Sequence, residues 1–126
     1  MGSEARDRCE ATLDAIDDVV GTRVRGAMYY DGDDYGEVYF RDDVDAAYTE
    51  EEKADAIEDF SLEAFGDPAR LEDIYRMGEL EATVRWFEEA FFVHVMLSDR
   101  SGFSISFDRE AVSALDHVLR ACESVR

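Results

Sequence analysis

The chain reads as an α+β fold: a five-stranded antiparallel sheet in the element order αββαβββα, with the terminal helices packed on one face. Three observations predict it. Apolar residues recur every three or four positions near both ends and in the middle of the chain; five short runs between them alternate every second position; and compact turn clusters separate those runs.

Residues 4–20 carry Ala5, Cys9, Leu13, Ile16 and Val20 at helical spacing, and Gly21 stops the helix. Val24, Gly26, Met28 and Tyr30 then alternate with Arg23, Arg25, Ala27 and Tyr29. After Asp31-Gly32-Asp33-Asp34, Val38 and Phe40 alternate with Glu37, Tyr39 and Arg41, which makes a hairpin. Thr49-Glu50-Glu51-Glu52 is a capping box that opens a second helix, with Ala54, Ile57, Phe60, Ala64 and Phe65 on its buried side, until Gly66-Asp67-Pro68 breaks it. Residues 67–79 read as an ordered connection, with Leu71, Ile74 and Tyr75 compatible with a helical turn.

Three strands follow. Leu80, Ala82, Val84 and Trp86 form the stripe of the first, and Glu88-Glu89 marks the turn. The 91–97 run is apolar on both sides and is expected at the centre of the sheet. Beyond the turn at 98–102, Phe103, Ile105 and Phe107 alternate with serines. Asp108 is placed to cap a last helix whose Ala111, Val112, Leu115, Val118, Leu119, Cys122 and Val125 form a wide apolar face.

Charge dominates the composition: 32 acidic residues against one lysine and twelve arginines, a net charge of −19. On the surface of about 6,800 Å² expected for this mass, that is roughly one carboxylate per 210 Å². Such a surface repels itself in dilute buffer and suits concentrated salt, where the Debye length falls to about 3 Å. Fifteen aromatics and a single proline argue for a folded chain in spite of the charge. With 126 residues, 46% of them hydrophobic, one domain spanning 1–126 is expected.

No apolar run reaches the ~20 residues that cross a bilayer. The N-terminus lacks a signal-like apolar stretch, so a cytoplasmic protein without membrane contact is expected. No basic surface is concentrated for nucleic acid, and a DNA-mimic reading of the acidity is unnecessary where solvent adaptation explains it.

The element order resembles the profilin-like and roadblock-like group of small domains over nearly the whole chain. Tyr30-Asp31-Gly32-Asp33-Asp34-Tyr35, Arg41-Asp42-Asp43-Val44 and Tyr48-Thr49-Glu50-Glu51-Glu52 also resemble a family of small acidic haloarchaeal proteins of unknown function. Neither resemblance supplies a catalytic residue; together they imply a fold and a cell type.

No nucleophile elbow, phosphate-binding loop or dinucleotide fingerprint is present, so no enzymatic activity and no cofactor are expected. Cys9 and Cys122 read as buried apolar residues, and His94 and His117 have no thiol at zinc-ligand spacing. Asp31, Asp33 and Asp34 fit a solvated turn better than a calcium loop, because Gly32 falls too early and strands flank it. The arginines are the anomaly. If every strand turns its most apolar stripe inward, Arg23, Arg25, Arg41 and Arg85 share the other face with Tyr29, Tyr39, Thr83, Phe92, His94 and Met96. Arg25, Arg41, Arg85, Tyr39 and His94 are then the candidates for binding an anionic ligand. Pairing with Glu37 and Glu81 under cover of the second helix accounts for them more simply, and a one-residue slip would scatter them.

Phe60, Phe65, Phe87, Phe92 and Met96 are apolar positions in excess of one core and mark a candidate interface. The expected function is a homodimeric interaction or regulatory adaptor domain; the alternative is a sensor for a small anionic ligand.

Overall fold

Helix α1 (Glu4–Val20) starts where the Ser3 hydroxyl accepts a hydrogen bond from the Arg6 amide. The same hydroxyl donates to Asp31 at 2.8 Å, which ties the helix start to the end of the first strand. The computed structural model describes residues 3–65 and 68–126; the side chains of residues 63–65, among them Phe65 and Ala64, and the expected break at 66–67 lie outside the described residues. Ala5, Cys9, Thr12, Ile16 and Val20 make the buried stripe of α1, while Leu13 is half-buried. Thr12 takes the inner position because its hydroxyl is satisfied within the helix, by donating to the Arg8 carbonyl at 2.9 Å.

Strands β1 (Val24–Asp31) and β2 (Asp34–Phe40) form the first hairpin around a two-residue turn, where Gly32 supplies the positive φ of 64° that the tight reversal requires. Next come α2 (Asp42–Ala47), α3 (Glu50–Phe65) and α4 (Pro68–Tyr75), then β3 (Ala82–Trp86), β4 (Ala90–Ser98) and β5 (Ser101–Asp108). A 3₁₀ turn over Arg109–Ala114 leads into α5 (Leu115–Val125). The strands make one antiparallel sheet in the order β2-β1-β5-β4-β3. The α+β class and the five-stranded antiparallel sheet match the sequence expectation. The 91–97 run lies inside the sheet as β4, although β5 is the middle strand.

The first face of the sheet carries the main core. Phe91, Val93, Val95, Phe103, Ile105 and Phe107 are buried there against Ile16 and Cys9 of α1 and Val118 and Cys122 of α5. On the second face, Tyr30 and Met96 pack with Ile57 and Phe60 of α3 in a smaller cluster. Gly102 sits beneath Tyr30, and a Cβ there would fall 2.7 Å from the Tyr30 hydroxyl, so β5 needs glycine where the ring crosses it.

Three sequence expectations are corrected. Strand β1 faces the opposite way: Ala27 and Tyr29 enter the main core, and Met28 and Tyr30 face α3. A register shift between Val24 and Gly26 inserts an extra residue, which reverses the alternation beyond Val24. A second shift, opposite Ala27 and Met28, sends Val38 to the main core while Phe40 faces α3, with the Lys53 ammonium over its ring. Asp108 does not cap the last helix; its carboxylate is claimed by arginine, and α5 proper begins at Leu115. Residues 42–47 and 68–75 are helical, and α4 buries none of its residues.

Both cysteines are free and buried, on the neighbouring helices α1 and α5. Burial pushes the Cys122 thiol up to about 12, and Cys9 is raised further, by burial first and then by the nearby Cys122. The thiolate needed for oxidation or alkylation is therefore scarce at neutral pH. A colorimetric thiol assay should find both cysteines slow to react in the native protein and both reactive in denaturant; fast native reaction of either would contradict this burial.

Candidate functional site

The second sheet face is only partly covered. The ladder lays three rows across it: Phe40, Gly26, Ser106, Phe92 and Arg85; then Met28, Ser104, His94 and Thr83; then Tyr30, Gly102 and Met96. Phe60 of α3 covers Tyr30 and His94 in the last two rows, its ring centroid 5.7 Å from Tyr30 and 5.2 Å from His94. Most of the first row, with Met28 and Ser104 of the second, lines a groove of about 790 Å³ between the sheet, α2 and α3. That volume lies within the range of ordinary small-molecule sites. Ser104 and Ser106 keep the middle of its floor low, and Phe40 and Phe92 stand on either side, the Phe40 ring lying over Gly26.

Arg25 and Arg85 both line this groove. Arg85 pairs with Asp59, joining β3 to α3, and its guanidinium stacks 5.3 Å from the centre of the Phe92 ring. Arg25 reaches Asp108 at 3.5 Å, longer than a normal N–H···O bond. Arg41 lies outside the groove. Its five N–H donors are spent on Asp108 (2.7 and 3.1 Å), Asp43 (2.6 and 3.1 Å) and the Thr22 carbonyl (2.8 Å). This fork joins the end of β2 to the end of β5, and the hydrogen bond to Arg41 holds the Asp108 carboxyl below the usual carboxylate range, with Arg25 adding to it.

The other candidate residues separate. Tyr39 pairs with Ala27 and is exposed, and Arg23 sits in the 3₁₀ turn before β1, exposed and 3.8 Å from Glu110. Tyr29 is in the main core. His94 is fully buried under Phe60, its Nε2 2.8 Å from the Tyr30 hydroxyl. Of the candidate interface residues, Phe60 and Met96 are buried inside the chain, Phe92 is half-buried on the groove floor, and Phe87 is 54% exposed with its ring stacked on Phe92.

The single lysine has a site that sequence reading did not single out. Lys53 is only 5% exposed, and its ammonium sits among Glu37, Asp45 and Glu50, from β2, α2 and α3. It also lies 4.3 Å from the centre of the Phe40 ring. The hydrogen bond to Asp45, followed by those to Glu50 and Glu37, holds the ammonium pKa well above its usual value. Among the described residues these three acids form the one group spaced to hold a metal ion, and the Lys53 ammonium occupies their centre. A lone lysine in so acidic a chain, one turn after a capping box, was the available signal.

The fold and the groove define a small α+β domain with one sheet face largely covered by α1 and α5 and one half-open face. The chain belongs to the family described as "Domain of unknown function (DUF7522)", whose model matches residues 10–126. Comparison with curated proteins finds no match.

Two outcomes are expected from this charge network. The pKa of Asp108 in the fold lies below its unfolded value of about 3.9, so its stabilisation is present above that value and is lost as pH falls through the folded-state pKa. In paired thermal melts Asp108→Asn should melt a few degrees below wild type at neutral pH, the gap closing below about pH 4. Lys53→Met should also melt lower, because Glu37, Asp45 and Glu50 then repel one another; part of the loss should return in molar salt. A salt-independent loss would mean that packing over Phe40 matters more than charge.

Proposed function

We propose that the protein is a non-enzymatic interaction domain of roadblock-like kind that works as a homodimer in concentrated salt, joined through the β3 edges of two sheets. The exposed β3 edge carries the argument. In a chain with 32 acids, residues 82–87 contain none, yet Val84, Trp86 and Phe87 are 41%, 48% and 54% exposed. Exposed edges are ordinarily protected by charge, proline or bulges. The opposite edge, β2, carries Asp34 and Glu37, whereas β3 has none of these devices apart from Arg85, which turns to Asp59.

Edge-to-edge pairing about a two-fold axis would satisfy the free ladder groups and cover these side chains with the same side chains of a second copy. The sheet then continues across the dimer. Salt favours the arrangement, since it screens the repulsion between two subunits of net charge −19. The non-enzymatic reading is supported by what happens to the reactive groups: both thiols are held protonated in the core, and the His94 ring is closed off beneath Phe60.

Light scattering in molar potassium chloride should give twice the chain mass for wild type and the chain mass for Val84→Glu, with both variants melting normally. A wild-type protein that stays monomeric at high concentration would refute the proposal.

A further inference from the structure

The half-open groove carries an inference separate from the β3 edge. Two polar groups inside it are not satisfied by the fold. The Arg25 side chain is 24% exposed and makes only the 3.5 Å ion pair with Asp108, whose oxygens are already engaged by Arg41 at 2.7 and 3.1 Å. Most of its five donors are therefore unspent among the described residues. Ser104, 4% exposed as a residue, lines the same groove; no hydrogen bond engages its hydroxyl among the described residues and no buried side-chain polar atom there lacks a partner, so the hydroxyl is open to the groove. Beside it Ser106 donates to the Gly26 carbonyl at a long 3.3 Å. A guanidinium and hydroxyls facing one trench between two phenylalanine rings suit a ligand with an oxyanion at one end and an apolar body.

We propose that this groove binds a small monocarboxylate with a ring-sized apolar body. Arg25 takes the carboxylate, the Ser104 hydroxyl donates to its polar end, and Phe40 and Phe92 flank the apolar part. The limit to one charge comes from the rim. Glu52, Asp55, Glu88 and Glu89 also line the groove, while Lys53 and Arg85 are committed to carboxylates of the chain. One unspent guanidinium balances one negative charge, and a phosphate ester or nucleotide would bring more charge than it can neutralise. The two serines in the floor leave room for a flat body that larger side chains would fill.

Phenylacetate is a direct probe, titrated into isotopically labelled protein in molar potassium chloride and followed by NMR. Saturable shifts at Ser104, Ser106 and Phe92 at millimolar probe are expected. Phenylacetamide and phenyl phosphate should bind more weakly, and Arg25→Met should weaken phenylacetate by at least about tenfold. Absence of these shifts overturns the proposal, as does equal binding of the amide, tighter binding of the phosphate, or undiminished binding by Arg25→Met. If Arg25→Met fails to fold, Ser104→Val leaves the Arg25–Asp108 pair in place and narrows the floor. That variant should lose binding while keeping the wild-type melting temperature, and full binding by it would equally count against the site.

Discussion

The structure depends on one largely covered sheet face. Phe91, Val93, Val95, Phe103, Ile105 and Phe107 fill it from two adjacent strands, and α1 and α5 close over them from the two ends of the chain. Full burial of a side chain of this kind is worth about 1.5–3 kcal/mol against exposure, so these six positions and their helix partners supply much of the drive to fold. Because that face buries the main core from β1 to β4, the second face does not have to be fully covered. A single helix, α3, covers part of it through Ile57 and Phe60, and the uncovered part remains as a groove.

The cations follow a similar division of labour. Arg41 and Lys53 act as internal cross-links. The first joins the ends of β2 and β5 through Asp108, and the second gathers β2, α2 and α3 around one ammonium. Both work at hydrogen-bonding distance and from sheltered positions, where salt screens least. The surface acids are far more numerous, and their mutual repulsion fades in molar salt. A chain with few cations therefore places two of them where short-range geometry supplies what long-range attraction cannot. Arg25 departs from this pattern, since it is sheltered yet poorly paired.

The apolar surface divides too. Phe60 and Met96, which composition alone marks as surplus, are absorbed by the second core. What stays outside includes Val84 and Trp86 of β3, Leu71, Ile74 and Tyr75 of α4, and scattered positions such as Val19, Tyr35, Leu62 and Met77. The total surface of 7689 Å² exceeds the about 6,800 Å² expected for this mass, in keeping with these peripheral elements. Edge and groove are distinct resources: one offers backbone pairing to another sheet, the other a walled trench.

Much of the fold was legible in residue order. Helical and alternating spacings located α1, the first hairpin, the β3–β4–β5 meander and α5, and Thr49 and Glu52 exchange the two hydrogen bonds that a capping box requires, at 2.9 and 3.1 Å. Such features depend on neighbours within a few positions, which is why a linear reading finds them. The site was legible only in part. Arg25, Arg85, Phe92 and His94 do share a sheet face, but Arg41, Tyr39 and Tyr29 do not join them there. Two irregularities in the first hairpin decide this, and a bulge carries no signature in alternation until the partner strand is known. Sequence by itself determined where α1, α3 and the five strands lie, the acidity of the chain and the identity of its few cations. Tertiary structure alone decided which side of the sheet each cation meets, because one extra residue in a strand turns every later side chain to the other face.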